Sequence, residues 1–187
     1  ALMKDVLDLN LVTAHIKKGG IIAYPTEGVW GIGCDPYNEA SVKIILHLKD
    51  REVGKGLVLV ASDLGQIENL VQTLPINAQK LLKASCPGPD TWLIPDSNQV
   101  IPSWIKGNFA TVAVRVSQHS LVKSICEKVG LLVSTSANPS GSDPALSSEQ
   151  VENYFGDKNI LIVPGELGDQ QKPSRIRDLM SKEVIRN

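Results

Sequence analysis

Short apolar runs of strand length alternate along this chain with segments of helical periodicity, and this alternation restricts it to the α/β folds. Three runs, at 21–23, 57–60 and 131–133, have the length and aliphatic content of buried strands. Segments 5–18 and 118–129 instead carry apolar residues three and four positions apart, which is typical of amphipathic helices. Helical segments do not separate every strand. The pattern therefore predicts a mixed sheet and argues against a purely parallel one.

The other segments extend the same alternation. GVWGIG at 28–33 has its glycines in the wrong order for a dinucleotide-binding motif, and we predict a loop with tight turns there. The hairpin-like run from 91 to 116 and the strand-rich C-terminal part again favour a mixed sheet. The remaining predicted elements are a helix capped by Asn38 and running through Lys49, two short helices within 63–84, a helix from Ser147 or Ser148 through Phe155, and strands at 91–94, 111–116, 160–163, 175–178 and 184–186.

Length and composition predict one soluble domain over residues 1–187. The chain is 42% hydrophobic and 21% charged, which is enough to build a core. Its net charge of -1 argues against non-specific nucleic-acid binding as the main role. Three scattered cysteines, Cys34, Cys86 and Cys126, are typical of reduced thiols. No apolar run approaches the ~20 residues that span a bilayer, so we expect a cytoplasmic protein without membrane contact.

The usual catalytic signatures are missing. The sequence contains no GxxxxGK[ST], HExxH or GxSxG motif, and its three histidines are isolated. Aromatic residues make up only 4% of the chain, which weakens any stacking platform for single-stranded nucleic acid. Any active site must therefore be built from other polar residues.

Two polar clusters lie next to predicted strands in the N-terminal half. Thr26 and Glu27 follow the first strand, where a proline-containing strand exit is the simplest interpretation. Lys49, Arg51 and Lys55 precede the second strand. These cations fit a solvated helix end, but they also fit a polyphosphate clamp, because arginine offers forked donors and lysine a compact charge.

Two further clusters lie in the C-terminal half. Strand alternation places Arg115 and Thr111 on one face of TVAVRV, where Arg115 either lies on a solvated face or meets a carboxylate. Ser136 and Asn138 follow a buried strand and form either an ordinary turn or part of a site, while 134–135 is interpreted as structural. Together the four clusters fit a ligand site at the ends of strands.

Seven segments follow one another over about residues 7–186: AYPTEGVWGIGCDP, LKDREVGKGL, CPGPDTW, TVAVRVSQHSLV, STSANPSG, VPGELG and PSRIRD. In their residues, order and spacing they resemble the YrdC-like family, the threonylcarbamoyl-AMP synthases, in its short single-domain bacterial form. The resemblance implies a single α/β domain of the YrdC/RibB type. Its twisted mixed parallel/antiparallel sheet would surround a large concave cavity.

The resemblance also implies a reaction. L-threonine, bicarbonate and ATP with Mg²⁺ would give L-threonylcarbamoyladenylate, diphosphate and water. A tRNA threonylcarbamoyl transferase complex would then use the product to modify an adenosine beside the anticodon, and direct tRNA contact is possible. The main alternative is an RNA-binding module without adenylation activity. Another enzyme on the same architecture, such as a carbamoyl transferase or a dihydroxybutanone phosphate synthase relative, is a second alternative.

Site residues follow from the same resemblance, position by position. Lys49 and Arg51 match the family's phosphate-binding pair and are the candidate catalytic residues. No protein ligand for a metal is implied, because the triphosphate would carry the Mg²⁺. The implied ATP contacts are Lys49, Arg51, Lys55, Thr111, Asn138 and Arg186, and the implied threonine contacts are Thr26, Arg115, Ser136 and Ser174.

Four positions depart from the family pattern. Gly28 stands where threonine or alanine is common, so a side chain that contacts threonine is missing there. Cys86 replaces an aromatic residue, and Arg175 replaces a frequent threonine. Asp90 stands where small or apolar residues are usual, and it either alters the cavity wall or is exposed.

Overall fold

Ten strands form one mixed sheet in the computed structural model of the chain, which describes residues 2–3, 6–170 and 172–187. The strands are β1 (Leu2–Met3), β2 (Ile21–Pro25), β3 (Trp30–Gly33), β4 (Val58–Ala61), β5 (Thr91–Pro95), β6 (Thr111–Val116), β7 (Leu132–Ser136), β8 (Ile160–Ile162), β9 (Ile176–Asp178) and β10 (Val184–Arg186). Their order across the sheet is β1-β8-β2-β3-β7-β4-β6-β5-β9-β10.

Parallel and antiparallel pairs both occur in this sheet. β4 runs parallel to β6, whereas β5 pairs with β6 as an antiparallel hairpin. β2 and β3 form a second antiparallel hairpin, and β2 is also parallel to β8. The predicted α/β class with a mixed sheet is therefore confirmed.

Three of the described helices begin where a side chain accepts a hydrogen bond from a free backbone amide. Asn38 accepts a hydrogen bond from the Ser41 amide, and Ser147 accepts one from the Gln150 amide, so both predicted caps are confirmed. The short helix at 103–106 was not predicted, because four residues carry too little periodicity. The helices are α1 (Leu9–Lys17), α2 (Glu39–Leu48), α3 (Glu68–Val71), α4 (Ile76–Ser85), α5 (Ser103–Lys106), α6 (Ser120–Val129) and α7 (Ser148–Phe155). Among the helices described, none has both the length and the apolar character needed to cross a membrane.

The loop predicted at 28–33 is wrong, since Trp30–Gly33 forms β3, an interior strand of the sheet. A Cβ atom at Gly33 would lie 2.0 Å from the Val133 carbonyl oxygen of the neighbouring strand β7. Glycine here permits a close approach between two strand backbones. The same residue type suits tight turns, so the sequence pattern by itself favoured the wrong interpretation.

The two faces of the sheet are covered to different extents. One face is buried by apolar side chains from α2, α3, α4, α5 and α7. On the other face, α1 and α6 pack over residues such as Tyr24, Val60 and Leu132. Val58, Arg115 and Ser134 lie on this second face and line a pocket there. The incomplete helical cover therefore leaves part of the sheet open to a ligand.

Candidate functional site

A pocket of about 380 Å³ lies on the open face of the sheet. Its volume is at the low end of the range of about 300–1,000 Å³ that is usual for small-molecule sites, so the large concave cavity stays a prediction. Its wall combines the β2–β3 turn, the link between α2 and β4, the end of β7 and the C-terminal part of the chain. The lining residues lie in 26–31, 49–58, 134–140 and 172–174, together with Arg115, Gln170 and Arg186.

The end of β7 is tied to the end of α2 by one ammonium group. Lys49 immediately follows α2, and its Nζ donates to the Ser136 carbonyl at 2.7 Å and to the carbonyl and Oδ1 of Asn138, both at 3.1 Å. The Ser136 hydroxyl donates to Asn138 Oδ1 at 2.6 Å. The structure thus brings these two predicted site segments into direct contact. Lys49 can bind an anion only by exchanging one of these partners.

Arg51 holds the short connection that leads into β4. Its Nε and Nη2 both donate to the Gly56 carbonyl, at 3.1 and 2.9 Å. Lys55 lies within the connection closed by these two bonds, lines the same pocket and is exposed. Arg51 therefore shapes the connection that carries Lys55, in addition to supplying its own charge.

Three cations crowd together in the pocket without carboxylate partners. Burial and the neighbouring Arg51 lower the pKa of Lys49 to about 8. Burial and Arg186 lower the pKa of Arg51, and burial lowers the pKa of Arg186. None of the three forms an ion pair with a carboxylate among the described residues. Unneutralised cations in a concave site favour an anionic ligand.

Arg115 is buried, and the solvated-face interpretation of this residue is wrong. Its Nη1 donates to Oε2 of Glu27, and both side chains are less than a tenth exposed. Oε1 of Glu27 accepts a second hydrogen bond from the Ser117 hydroxyl and a third from the His119 amide at 3.0 Å. Burial lowers the pKa of Arg115. The carboxylate that the sequence left open as a partner is thus one from the chain itself.

The remaining predicted residues differ in their placement. Thr26 is buried, and its hydroxyl donates to the Val29 carbonyl at 2.6 Å, which closes the β2–β3 turn. Ser174 shares a hydroxyl–hydroxyl hydrogen bond of 2.6 Å with Thr91, and its carbonyl accepts from Arg186 Nη2 at 2.9 Å. All three predicted residues, Thr26, Ser174 and Arg186, line the pocket. Thr111 lies on the same face of β6 as Arg115 but does not line the pocket. Its role in ATP binding therefore stays a prediction.

Two of the departures from the family pattern are partners of each other. Arg175 Nε and Nη2 donate to the two carboxylate oxygens of Asp90, at 3.0 and 2.9 Å, and Arg177 lies 3.5 Å from the same carboxylate. This pairing lowers the pKa of Asp90. Neither Asp90 nor Arg175 lines the pocket. The ion pair instead ties the start of β5 to the start of β9, next to Ser174.

Gly28 allows the C-terminal part of the chain to approach the β2–β3 turn. The Gly168 amide donates to the Thr26 carbonyl and the Gln170 amide to the Glu27 carbonyl, both at 2.9 Å. Sequence reasoning did not include Gln170 or Lys172 in the site, although both line the pocket. Lys172 lies two positions before Ser174, and this proximity was the signal that could have identified it.

We expect Gly28→Ala to destabilise the protein by about 1–3 kcal/mol, because overpacking at a close contact forces backbone shifts. The new Cβ atom would lie 2.3 Å from the Lys172 carbonyl oxygen. Chemical denaturation measures the loss. Gly31→Ala is the matched control in the same pocket, since its nearest neighbours lie at 3.4 Å. Equal stability of the two variants would contradict the close-approach explanation.

No group of three or more His, Cys, Asp or Glu side chains within the described ranges is arranged to hold a metal ion. Asp50 is the carboxylate that lines the pocket, whereas Glu27 is engaged by Arg115. The pocket offers mainly cations and neutral hydroxyl and amide groups. This donor set fits a metal ion that arrives bound to an anionic ligand better than a metal ion held by the protein.

Comparisons with known proteins agree with the fold. The Sua5/YciO/YrdC family model, described as telomere recombination, matches residues 14–187. The chain is 48% identical over 181 residues to a threonylcarbamoyl-AMP synthase of Marinobacter nauticus, covering 96% of this chain and 95% of that relative. It is 47% identical over 171 residues to a threonylcarbamoyl-AMP synthase of Pseudomonas aeruginosa, covering 91% of this chain and 92% of the relative.

Solved structures give the same result. P. abyssi Sua5 complexed with L-threonine superposes with a TM-score of 0.82 at 30% identity, over 95% of this chain and 53% of that one, so the chain spans about half of that protein's length. E. coli YciO superposes with a TM-score of 0.82 at 23% identity, over 100% of this chain and 93% of that one, and shows the fold.

The fold and the site define an α/β protein with a cation-rich pocket on the open face of a mixed sheet. The family is identified by a family model that covers nearly the whole chain and by relatives of 45–48% identity. The chain belongs to the Sua5/YciO/YrdC family.

Proposed function

We propose that this protein is an L-threonylcarbamoyladenylate synthase, which makes its product from L-threonine, bicarbonate and ATP. The observation that carries the proposal is the cluster of unneutralised cations Lys49, Arg51 and Arg186 beside the buried Arg115. Relatives named threonylcarbamoyl-AMP synthase and the L-threonine complex of P. abyssi Sua5 support it. They favour this reading over an RNA-binding module without adenylation activity.

The residues of the pocket fall into two sets by chemistry, one suited to each organic substrate. Lys49, Arg51 and Arg186 would bind the triphosphate, with Lys55 at the exposed edge and the Asn138 amide beside them. Mg²⁺ would arrive bound to the triphosphate, held by no protein carboxylate cage, and would supply charge neutralisation there. Arg115 would bind the threonine carboxylate, with Thr26, Ser136 and Ser174 around the amino acid.

The proposed chemistry needs positioning more than proton transfer. The threonine amine and bicarbonate give a carbamate and water. A carbamate oxygen then forms a bond to the α-phosphorus while the bond from that phosphorus to the bridging oxygen breaks, and diphosphate leaves. Fixed cations would stabilise the charge on the transferring group and on the departing diphosphate. The adenylate would be consumed by a tRNA threonylcarbamoyl transferase complex, and we expect the reaction to take place in the cytoplasm.

The direct test is product formation by the purified protein. With ATP, Mg²⁺, L-threonine and bicarbonate, we expect threonylcarbamoyladenylate by mass spectrometry and an equal amount of diphosphate. Omission of threonine or bicarbonate should stop diphosphate release. Absence of the adduct with all substrates present would refute the synthase proposal. Tight tRNA binding with a steep salt dependence, and no adduct, would support the RNA-binding alternative instead.

We expect nucleotide binding to take up protons above pH 8 through Lys49. The pKa of about 8 means that this amine loses its proton in the free folded protein as the pH rises through 8, whereas an anion favours the charged form. ATP affinity should therefore fall as the pH rises through 8. Calorimetry at pH 9 in buffers of different ionisation enthalpy measures the uptake. Lys49→Arg, which stays charged, should not show it, and equal uptake in both proteins would contradict the assignment to Lys49.

A further inference from the structure

Glu27 is a buried carboxylate that the proposed chemistry does not use. It follows β2, and its side chain lies behind Arg115 and does not line the pocket. Its oxygens accept hydrogen bonds from Arg115, the Ser117 hydroxyl and the His119 amide. Buried carboxylates are retained only when paired, so the carboxylate and the guanidinium require each other.

Glu27 uses only part of the hydrogen-bonding capacity of Arg115. Among the described residues, Nη1 is the one guanidinium nitrogen of Arg115 with a partner. Nε is buried and lacks any described partner, and the side chain as a whole lines the pocket. A guanidinium can pair with two carboxylates along different edges, because its five N–H donors have a fixed planar arrangement. The ion pair therefore orients the group without saturating it.

We propose that Glu27 is a positioning residue that holds the Arg115 guanidinium so that its unused edge receives the carboxylate of the amino-acid substrate. The inference rests on the proposed function, because it takes threonine as the amino acid. Three donors hold the Glu27 carboxylate in place, and two of them, the Ser117 hydroxyl and the His119 amide, do not belong to Arg115. Fixing an arginine before the ligand arrives preserves the bidentate geometry on which carboxylate recognition depends.

The same arrangement divides the pocket by charge. Glu27 neutralises Arg115, whereas Lys49, Arg51 and Arg186 have no carboxylate partner among the described residues. The triphosphate is therefore drawn to the unneutralised cations, and the singly charged carboxylate of the amino acid is left to Arg115. Glu27 thus contributes to amino-acid recognition without touching the amino acid.

The test compares the binding of L-threonine and L-threoninamide to the full chain by calorimetry. The amide has the same side chain and amine but lacks the carboxylate. The wild-type protein should prefer threonine by about tenfold or more, as expected for a charge-assisted bidentate contact. Glu27→Gln places an amide nitrogen against Arg115 or against the Ser117 and His119 donors, and the preference should fall to about threefold or less.

Ser117→Ala is the matched control, since it removes one hydrogen bond to the same carboxylate but keeps the ion pair. It should retain the wild-type preference. Glu27→Asp provides a second measure if Glu27→Gln does not fold, because the shorter side chain cannot reach Arg115, Ser117 and His119 together. Its preference for threonine over threoninamide should be lower than that of the wild-type protein.

The possible outcomes are distinct. Equal weakening of both ligands in Glu27→Gln, with the preference kept, means that Glu27 is merely structural and overturns the inference. If Glu27→Gln does not fold, an unchanged preference for threonine over threoninamide in Glu27→Asp also overturns the inference. Wild-type protein that binds both ligands equally also overturns it, because Arg115 then does not bind the carboxylate. Wild-type protein that binds neither ligand, with or without ATP, refutes the proposed function itself.

Discussion

Arg51→Ala should weaken ATP binding by about 10²–10⁴-fold, the largest loss that we expect from one substitution in the pocket. Two charge-assisted hydrogen bonds contribute about 1.5–3 kcal/mol each, and about 1.4 kcal/mol corresponds to a tenfold change. The variant also loses both hydrogen bonds to the Gly56 carbonyl, so the connection that carries Lys55 is no longer fixed. Titration with a non-hydrolysable ATP analogue measures the effect.

Two further variants separate charge from geometry at this position. Arg51→Lys keeps the charge but not the fork, and it should recover only part of the affinity. Lys55→Ala removes an exposed cation from the same connection, and its effect should be about 1 kcal/mol or less. ATP affinity that is unchanged in Arg51→Ala would refute the phosphate clamp while leaving the fold as described.

Arg115→Leu should destabilise the folded protein by about 3–5 kcal/mol, because it leaves the buried Glu27 carboxylate without its cation. For a chain of this length, each kcal/mol lowers the melting temperature by about 2–4 °C. A decrease of about 6–20 °C is therefore expected. Thermal and chemical unfolding measure it without any substrate.

A double variant and a surface pair serve as controls for this loss. Glu27→Gln with Arg115→Leu removes both charges, and it should lose less stability than Arg115→Leu alone. The Glu39–Lys43 pair on α2 has a similar charge pattern but is exposed, so Lys43→Leu should change the stability by about 0.5 kcal/mol or less. Equal losses in the single and double variants would show that the ion pair is not the cause.

Much of the fold could be predicted because its signals are local. The helix of residues 39–48 begins where the Asn38 side chain accepts from a backbone amide only three residues ahead. The strand at 111–116 has the bounds that its alternating valines predict. The strand at 30–33 was missed, because the reason for its glycines is the Val133 carbonyl about one hundred residues further along the chain.

The candidate site shows the same division. The cationic segment beginning at Lys49 and the segment ending at Asn138 were both identified, and the structure joins them through the Lys49 ammonium. The partner of Arg115 was left open, because Glu27 lies 88 positions away in sequence. The pairing of Asp90 with Arg175 was missed for the same reason, at a separation of 85 positions.

The sequence by itself determined the α/β class, most helices and strands, the family and the chemical types of the pocket residues. Each of these depends on the residue and its near neighbours, through periodicity, capping and local charge. Only the tertiary structure decided which charges meet. It places Glu27, in the turn after β2, beside Arg115, and it leaves Lys49, Arg51 and Arg186 without an anionic partner among the described residues. Burial determines what these arrangements do. A buried charge requires a partner, and a cluster of cations without carboxylate partners favours an anionic ligand.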